Sequence, residues 1–293
     1  MHHQTKAYKV FTVFNTLGMA LLGFICVAPL INTLAVSFSS PAAASGNLVT
    51  FLPIGFTFDA YNETLGNANF IRALLIGLLR TVLGTAISLF TMTMAAYALA
   101  KEEREFKGRT AYMWIFVFTM MFSAGLVPNY ILIQELHLMN TIWALVLPGA
   151  VSVFNMILLL NFFRVSVPKS LAEASSIDGA GHFRTFWSIY LPIAVPSVAT
   201  VALFIMVSNW NAWFDGMIYM TDPRRYPLST FLHTVIVLND MSQINLDPED
   251  IKMLSNRTVR ASQVFLGAFP ILIVYPFLQR YFVTGIVMGS VKE

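Results

Sequence analysis

Six stretches of the chain, 11–37, 78–100, 110–128, 141–163, 191–213 and 263–285, are predominantly apolar. Each approaches or exceeds the roughly 20 residues that a helix needs to cross a bilayer's hydrocarbon core. The second can begin near Phe70, because Ile71 to Leu79 is also apolar. No other feature constrains the fold as tightly, since a backbone in lipid must close its hydrogen bonds within the protein, as a helix does. Composition agrees. The chain is 57% hydrophobic and 11% charged, against roughly 25% charged residues in a soluble domain, and its mean hydropathy is +0.68. The first run is too long for a cleavable leader and lacks a clean small-residue cleavage site, so it reads as a retained span. The lone cysteine, Cys26, excludes an intramolecular disulfide and speaks against a cysteine-built metal site. The sequence therefore predicts an all-α integral membrane protein, a single transmembrane domain over 1–293 with its core spans within about 70–285.

Six spans put both termini on one side. The N-terminus, loop 101–109, loop 164–190 and the C-terminal tail hold Lys6, Lys9, Lys101, Arg104, Lys107, Arg109, Arg164, Lys169, Arg184, Arg280 and Lys292. The alternate segments hold Arg224, Arg225, Lys252, Arg257 and Arg260, all in one long loop, about 214–262. Connections 38–70 and 129–140 contain no basic residue. Because Lys and Arg concentrate in cytoplasmic loops, both termini are expected to be cytoplasmic. Arg72 and Arg80 are expected near the outer interface, where long side chains snorkel.

The stretch between the fourth and fifth runs, about 166–190, is then cytoplasmic. Ser170 stands three residues before Glu173, the spacing of a capping box. Leu171 to Ile177 can form two helical turns, closed at Asp178 by Gly179 in a left-handed conformation. A second helix over about 181–190 would carry Phe183, Phe186, Trp187 and Tyr190 on one face. Such a face can lie in lipid headgroups, pack on its own spans, or insert into a cleft on a separate cytoplasmic protein.

Glu173-Ala174-Ser175, Gly179, Ile189 and Leu191-Pro192 resemble the EAA loop of ABC-importer permeases, whose form is E-A-A, three residues, G, nine residues, I-x-L-P. Ser175 replaces the second alanine. Asp178-Gly179-Ala180, Phe186 and Pro196 are similar to the carbohydrate-uptake, maltose-type branch, as are Ala95–Ala100, Leu126-Val127-Pro128, Asn140–Leu145 and Gln279–Val283 with Gly285 and Gly289. The nearest flavour is that of permeases for complex oligosaccharides, acidic ones included. The resemblance implies a type I importer permease fold. It also implies a homologous second permease, a dimer of cytoplasmic ATPase subunits, an extracytoplasmic solute-binding protein and a sugar substrate. ATP and Mg would bind the ATPase subunits; this chain carries no G-x-x-x-x-G-K-[ST] phosphate loop. No catalytic set, cofactor, metal site or nucleic-acid surface is read from it. Glu173, Ala174, Asp178, Gly179, Phe183, Phe186 and Trp187 would couple to the ATPase.

Near the end of the fifth run, Asn209, Trp210, Asn211 and Trp213 are candidates for the sugar pathway, with helix packing as the alternative. Arg224, Arg225 and Tyr226 are candidates for the binding-protein contact, with a structured cover over the spans as the alternative. Asn32, Asn155 and Asn161 read as interhelical hydrogen-bonding groups. A permease of the same class for a non-sugar solute stays open. A self-contained secondary transporter would show internal repeats and midmembrane ionisable groups, and neither is evident.

Overall fold

The structure is a computed structural model and describes residues 6–237 and 257–290. Among these residues every regular element is a helix. Helices α1 (Lys6–Ser37), α2 (Pro41–Ser45) and α3 (Asp59–Gly66) lead into α4 (Ala68–Ala100). Next come α5 (Arg109–Met121), α6 (Leu126–Glu135), α7 (Ile142–Val146) and α8 (Val153–Ser166). The sequence then forms α9 (Lys169–Ile177), α10 (His182–Thr185), a π turn (Phe186–Tyr190), α11 (Leu191–Ile193) and α12 (Val195–Asn211). α13 (Phe214–Tyr219), a 3-10 turn (Pro223–Arg225), α14 (Leu228–Val237) and α15 (Arg257–Ser290) complete the order.

Among the described residues, three helices are long and apolar enough to cross a membrane: Tyr8–Ser37, Ala68–Ala100 and Arg257–Phe277. The other three apolar runs are interrupted. The third bends by 111° between α5 and α6, where Gly125 takes a φ of +85° that other residues rarely adopt. The fourth loses helix over 147–152, where Pro148 lacks a donor and Gly149 favours irregular backbone. The fifth bends by 81° between His182–Ile193 and Val195–Asn211; Pro196 has no N–H to carry the helix through. Hydropathy alone does not register such breaks, because proline and glycine are tolerated in apolar segments. α4 begins at Ala68, in keeping with a second run that starts near Phe70, whereas α15 begins at Arg257 rather than 263. The long loop accordingly shrinks, and its stretch from Leu228 is the helix α14. The acidic cluster Asp247-Pro248-Glu249-Asp250 lies outside the described residues.

The chain divides into two compact units. The described part of the first, Met1–Ile71 with Thr234–Phe269, has a small core of Ala35, Val36, Ala43, Ala44, Val49 and Ala261. Thr64 and Ser262 share a buried hydroxyl–hydroxyl hydrogen bond of 2.6 Å. Asn32 donates to the carbonyls of Val49, at 3.3 Å, and Thr50, at 2.6 Å. It therefore anchors a loop and not, as expected, another helix.

The second unit, Arg72–His233 with Pro270–Glu293, has the larger core. Met92, Ala96, Tyr97 and Leu99 of α4 meet Met156, Leu159, Leu160 and Phe163 of α8. Val201 and Ile205 of α12, with Phe186 and Tyr190, complete it. A second cluster joins Ile133, Ala144, Leu145, Tyr219 and Met220.

Candidate functional site

α9 starts one residue before the expected cap. Pro168 is its N-cap, no side chain caps the N-terminus, and Ser170 falls inside the first turn, so the capping box does not form. The other end closes as the sequence predicts. Ala180 N–H donates to Ser175 O at 2.9 Å and Gly179 N–H to Ser176 O at 3.1 Å, while Gly179 has a φ of +74°. This pair of bonds, with a left-handed glycine between them, satisfies carbonyls that the helix end leaves free. Across the turn, Ser175 Oγ lies 3.2 Å from Thr185 Oγ1, both residues buried. The residue that departs from the E-A-A pattern is thus a polar tie between the two arms.

The aromatic face divides along its length. Phe186 is 3% exposed and packs on Tyr97 at 5.3 Å between ring centroids. Tyr190 is buried against Tyr97 and Phe163. Phe183, 66% exposed, and Trp187 remain in contact with solvent, their centroids 6.1 Å apart. The wider turn at 186–190, with i→i+5 bonding, lies where the buried and exposed pairs separate. Ile177, 87% exposed, and Leu171 are exposed on the neighbouring helix. Glu173, Ala174 and Asp178 are exposed as well.

Glu173 also lines a cleft of about 570 Å³ whose walls include Glu102, Arg109, Arg164 and Lys169. Lys169 pairs with Glu102 in the open. The Lys169 hydrogen bond holds the Glu102 carboxyl below its usual value, and Glu102 raises the Lys169 ammonium in return. Lys101 is buried. Its ammonium lies 5.2 Å from the Tyr97 ring centroid and 5.4 Å from that of Tyr190, and 3.0 Å from Glu105 Oε2. Burial works against the Lys101 charge, but the Glu105 bond and the two phenols outweigh it and its pKa rises.

At the other end of α12, the candidate pathway residues separate. Trp210 is buried; a Cβ at Gly77 of α4 would lie 3.7 Å from its ring. Asn209 packs on Gly84, where a Cβ would come within 2.8 Å of its Nδ2. Asn211 is exposed. Trp213 is half-buried and stacks on His233, centroids 3.5 Å apart and planes 8° from parallel. Arg224 and Arg225 are exposed on the 3-10 turn, with Tyr226 half-buried beside them. Arg225 donates to Asn140 O and lies 3.8 Å from Asp222.

One feature of this region escaped the sequence reading. Arg80 is 2% exposed instead of reaching for an interface. Its guanidinium takes both carboxylate oxygens of Asp215 and donates to Ala212 O at 2.8 Å. Ser229 Oγ donates to the same carbonyl at 2.6 Å, and Thr230 Oγ1 to Trp213 O at 2.7 Å. Gly77, Arg80 and Gly84 fall at i, i+3 and i+7, one face of α4. That spacing, with an acid at the end of the fifth run, was the available signal.

Residues 92–288 match the family described as binding-protein-dependent transport system inner membrane component. The chain is 37% identical over 290 residues to Protein LplC of Bacillus subtilis (strain 168), covering 99% of this chain and 97% of that one. It is 33% identical over 279 residues to the polygalacturonan/rhamnogalacturonan transport system permease protein YtcP of the same organism, covering 94% and 95%. Among solved structures, a bacterial ABC transporter involved in the import of the acidic polysaccharide alginate contains a chain that superimposes with a TM-score of 0.85. That match is 30% identical and covers 96% of this chain and 100% of the other. Family match, relatives and fold agree: the chain belongs to the inner membrane components of binding-protein-dependent transport systems.

Proposed function

We propose that this multi-pass membrane protein is one of two paired permease subunits of an ATP-driven oligosaccharide importer, with acidic polysaccharide fragments as its substrate class. The observation that carries the reading is the EAA-like segment itself. It is closed at Gly179, tied internally by Ser175 and Thr185, and leaves Leu171, Ile177, Phe183 and Trp187 exposed. Apolar side chains on a stiff, water-facing element suit insertion into a cleft on another protein. The acidic class is suggested by YtcP and by the alginate transporter, each named for acidic polymers.

In this reading the chain supplies six spans with both termini cytoplasmic, as the excess of Lys and Arg in alternate segments supports. ATP and Mg sit on a dimer of separate ATPase subunits, and this chain holds no cofactor. Glu173, Ala174, Asp178 and Gly179 form the rigid docking element, Phe183 and Trp187 its inserted anchors. Phe186 joins that element to the permease core. Asn209, Trp210, Asn211 and Trp213 lie beside the sugar pathway, Trp210 as packing. Arg224, Arg225 and Tyr226 meet the extracytoplasmic binding protein, the two cations exposed for that contact. ATP favours the closed ATPase dimer; moving the permease from 1:99 to 99:1 needs about 5.5 kcal/mol of differential binding, which a floppy connection would dissipate.

The test is uptake in proteoliposomes holding this chain, its partner permease, the ATPase and the binding protein. Expected is ATP-dependent accumulation of oligogalacturonate or alginate fragments, with no accumulation when the ATPase is omitted. Concentrative uptake without the ATPase would refute the importer reading. Uptake of maltodextrin alone would refute the acidic class.

A further inference from the structure

We propose that the Arg80–Asp215 ion pair is a positioning strap that makes α4 and the α12–α14 region move as one body during transport; the strap rests on the importer reading above. α12 follows directly from the segment that would receive the ATPase's movement. α4 touches that segment at Tyr97 and carries Arg80 seventeen residues earlier (97 minus 80), about 25 Å along the helix. Three elements converge on the strap: Arg80 from α4, Ala212 and Asp215 beyond α12, and Ser229 from α14. The partners are unequally sealed, with side-chain exposures of 3% for Arg80 and 27% for Asp215. If the α12–α13 junction slid away, Asp215 could reach water, but Arg80 would stay behind as a buried, unpaired charge, a heavily penalised state. Packing closes the remaining freedom, because Gly77 meets Leu228 and Gly84 meets Asn209 without a side chain between. A buried ion pair adds little net stability over neutral groups of similar shape. Holding these helices in register is what a neutral pair would not do.

Two experiments on the complete reconstituted complex test the strap. Arg80→Met combined with Asp215→Asn removes both charges and avoids the unpaired arginine. The expected result is normal assembly and at least half the wild-type ATP hydrolysis, with transport per ATP reduced about tenfold. Wild-type transport per ATP in this double variant would overturn the strap. The second experiment keeps the pair intact. A Cβ on Gly77 would stand 3.4 Å from Leu228 Cβ, close to the range that a disulfide spans. In a Cys26→Ser background, Gly77→Cys with Leu228→Cys should oxidise and still transport at half the reduced rate or better, because the joined elements do not move apart. Transport that stops on oxidation and returns with reductant would overturn the strap even if the neutral variant failed to assemble. Wild-type complex without ATP-driven uptake would instead overturn the importer reading and the strap with it.

Discussion

Ahead of α12, the chain leaves Ile177 and Phe183 largely in solvent, Trp187 partly so, and keeps its Lys169–Glu102 pair open to water. At the other end of the same helix, Arg80 is buried on Asp215, and glycines let Trp210 and Asn209 lie directly on α4. The two regions distribute charge and apolar surface in opposite ways. Exposed apolar groups on a rigid turn are unfinished packing, which a second protein can complete. A buried, bidentate ion pair is finished packing, which resists movement within the chain. Position along one helix thus separates exposed apolar surface from a sealed, ion-paired seam.

The sharpest way to break this comparison is inside the aromatic face. Phe186→Ala removes a ring packed on Tyr97 and should cost about 3–5 kcal/mol, read as a fall in thermal stability and in yield of the solubilised chain. Phe183→Ala removes an exposed ring and should change stability by less than about 0.5 kcal/mol. It should nevertheless weaken co-purification with the ATPase and substrate-stimulated hydrolysis. Equal destabilisation by the two variants would erase the distinction between anchor and core.

A smaller effect is expected at Gly179. Its φ of +74° is unfavourable for an L-residue with a Cβ, by about 1–2 kcal/mol, and nothing lies within 4 Å of the added Cβ to create a clash. Gly179→Ala should therefore lower stability modestly and blunt coupling, and Gly179→Asn, which tolerates this conformation better, should recover part of both. Unchanged coupling in the alanine variant would mean that the turn need not be stiff.

Much of the segment was legible in the sequence because its determinants are local. A turn after Ile177 needs only Gly179 in place, and the aromatic spacing needs only counting. Which rings face inward was not legible, because that depends on Tyr97 and Phe163, many residues away. Arg80 illustrates the same limit: a cation near a span end reads as snorkelling until Asp215, 135 residues later, is placed beside it. The apolar runs gave the helical class, while the bends at Gly125 and near Pro196 depend on backbone geometry that hydropathy does not measure. Gly216 is similar. It admits Thr230, whose Oγ1 would clash with an added Cβ, a closeness that no local pattern announces.

The smallest effect belongs to the exposed pair. Lys169 holds the Glu102 carboxyl below its ordinary value of 4.5, so the stability due to Glu102 is present above that value and is lost as pH falls through the lowered one. Glu102 raises Lys169 above its ordinary 10.5, so that contribution is present below 10.5 and is lost as pH rises through the raised value. Between those limits the pair is constant. With both side chains mostly in water, screening and side-chain entropy leave it little net worth. Glu102→Gln should then leave the thermal midpoint of the complex unchanged from pH 6 to 9, within about 2 °C, and should not alter transport per ATP. A larger shift, abolished by salt, would show that α9 depends on the 101–109 loop for its position. The rigidity of the 169–190 segment would then come from an exposed charge as well as from Ser175, Thr185 and Gly179, and the contrast with the Arg80 seam would narrow.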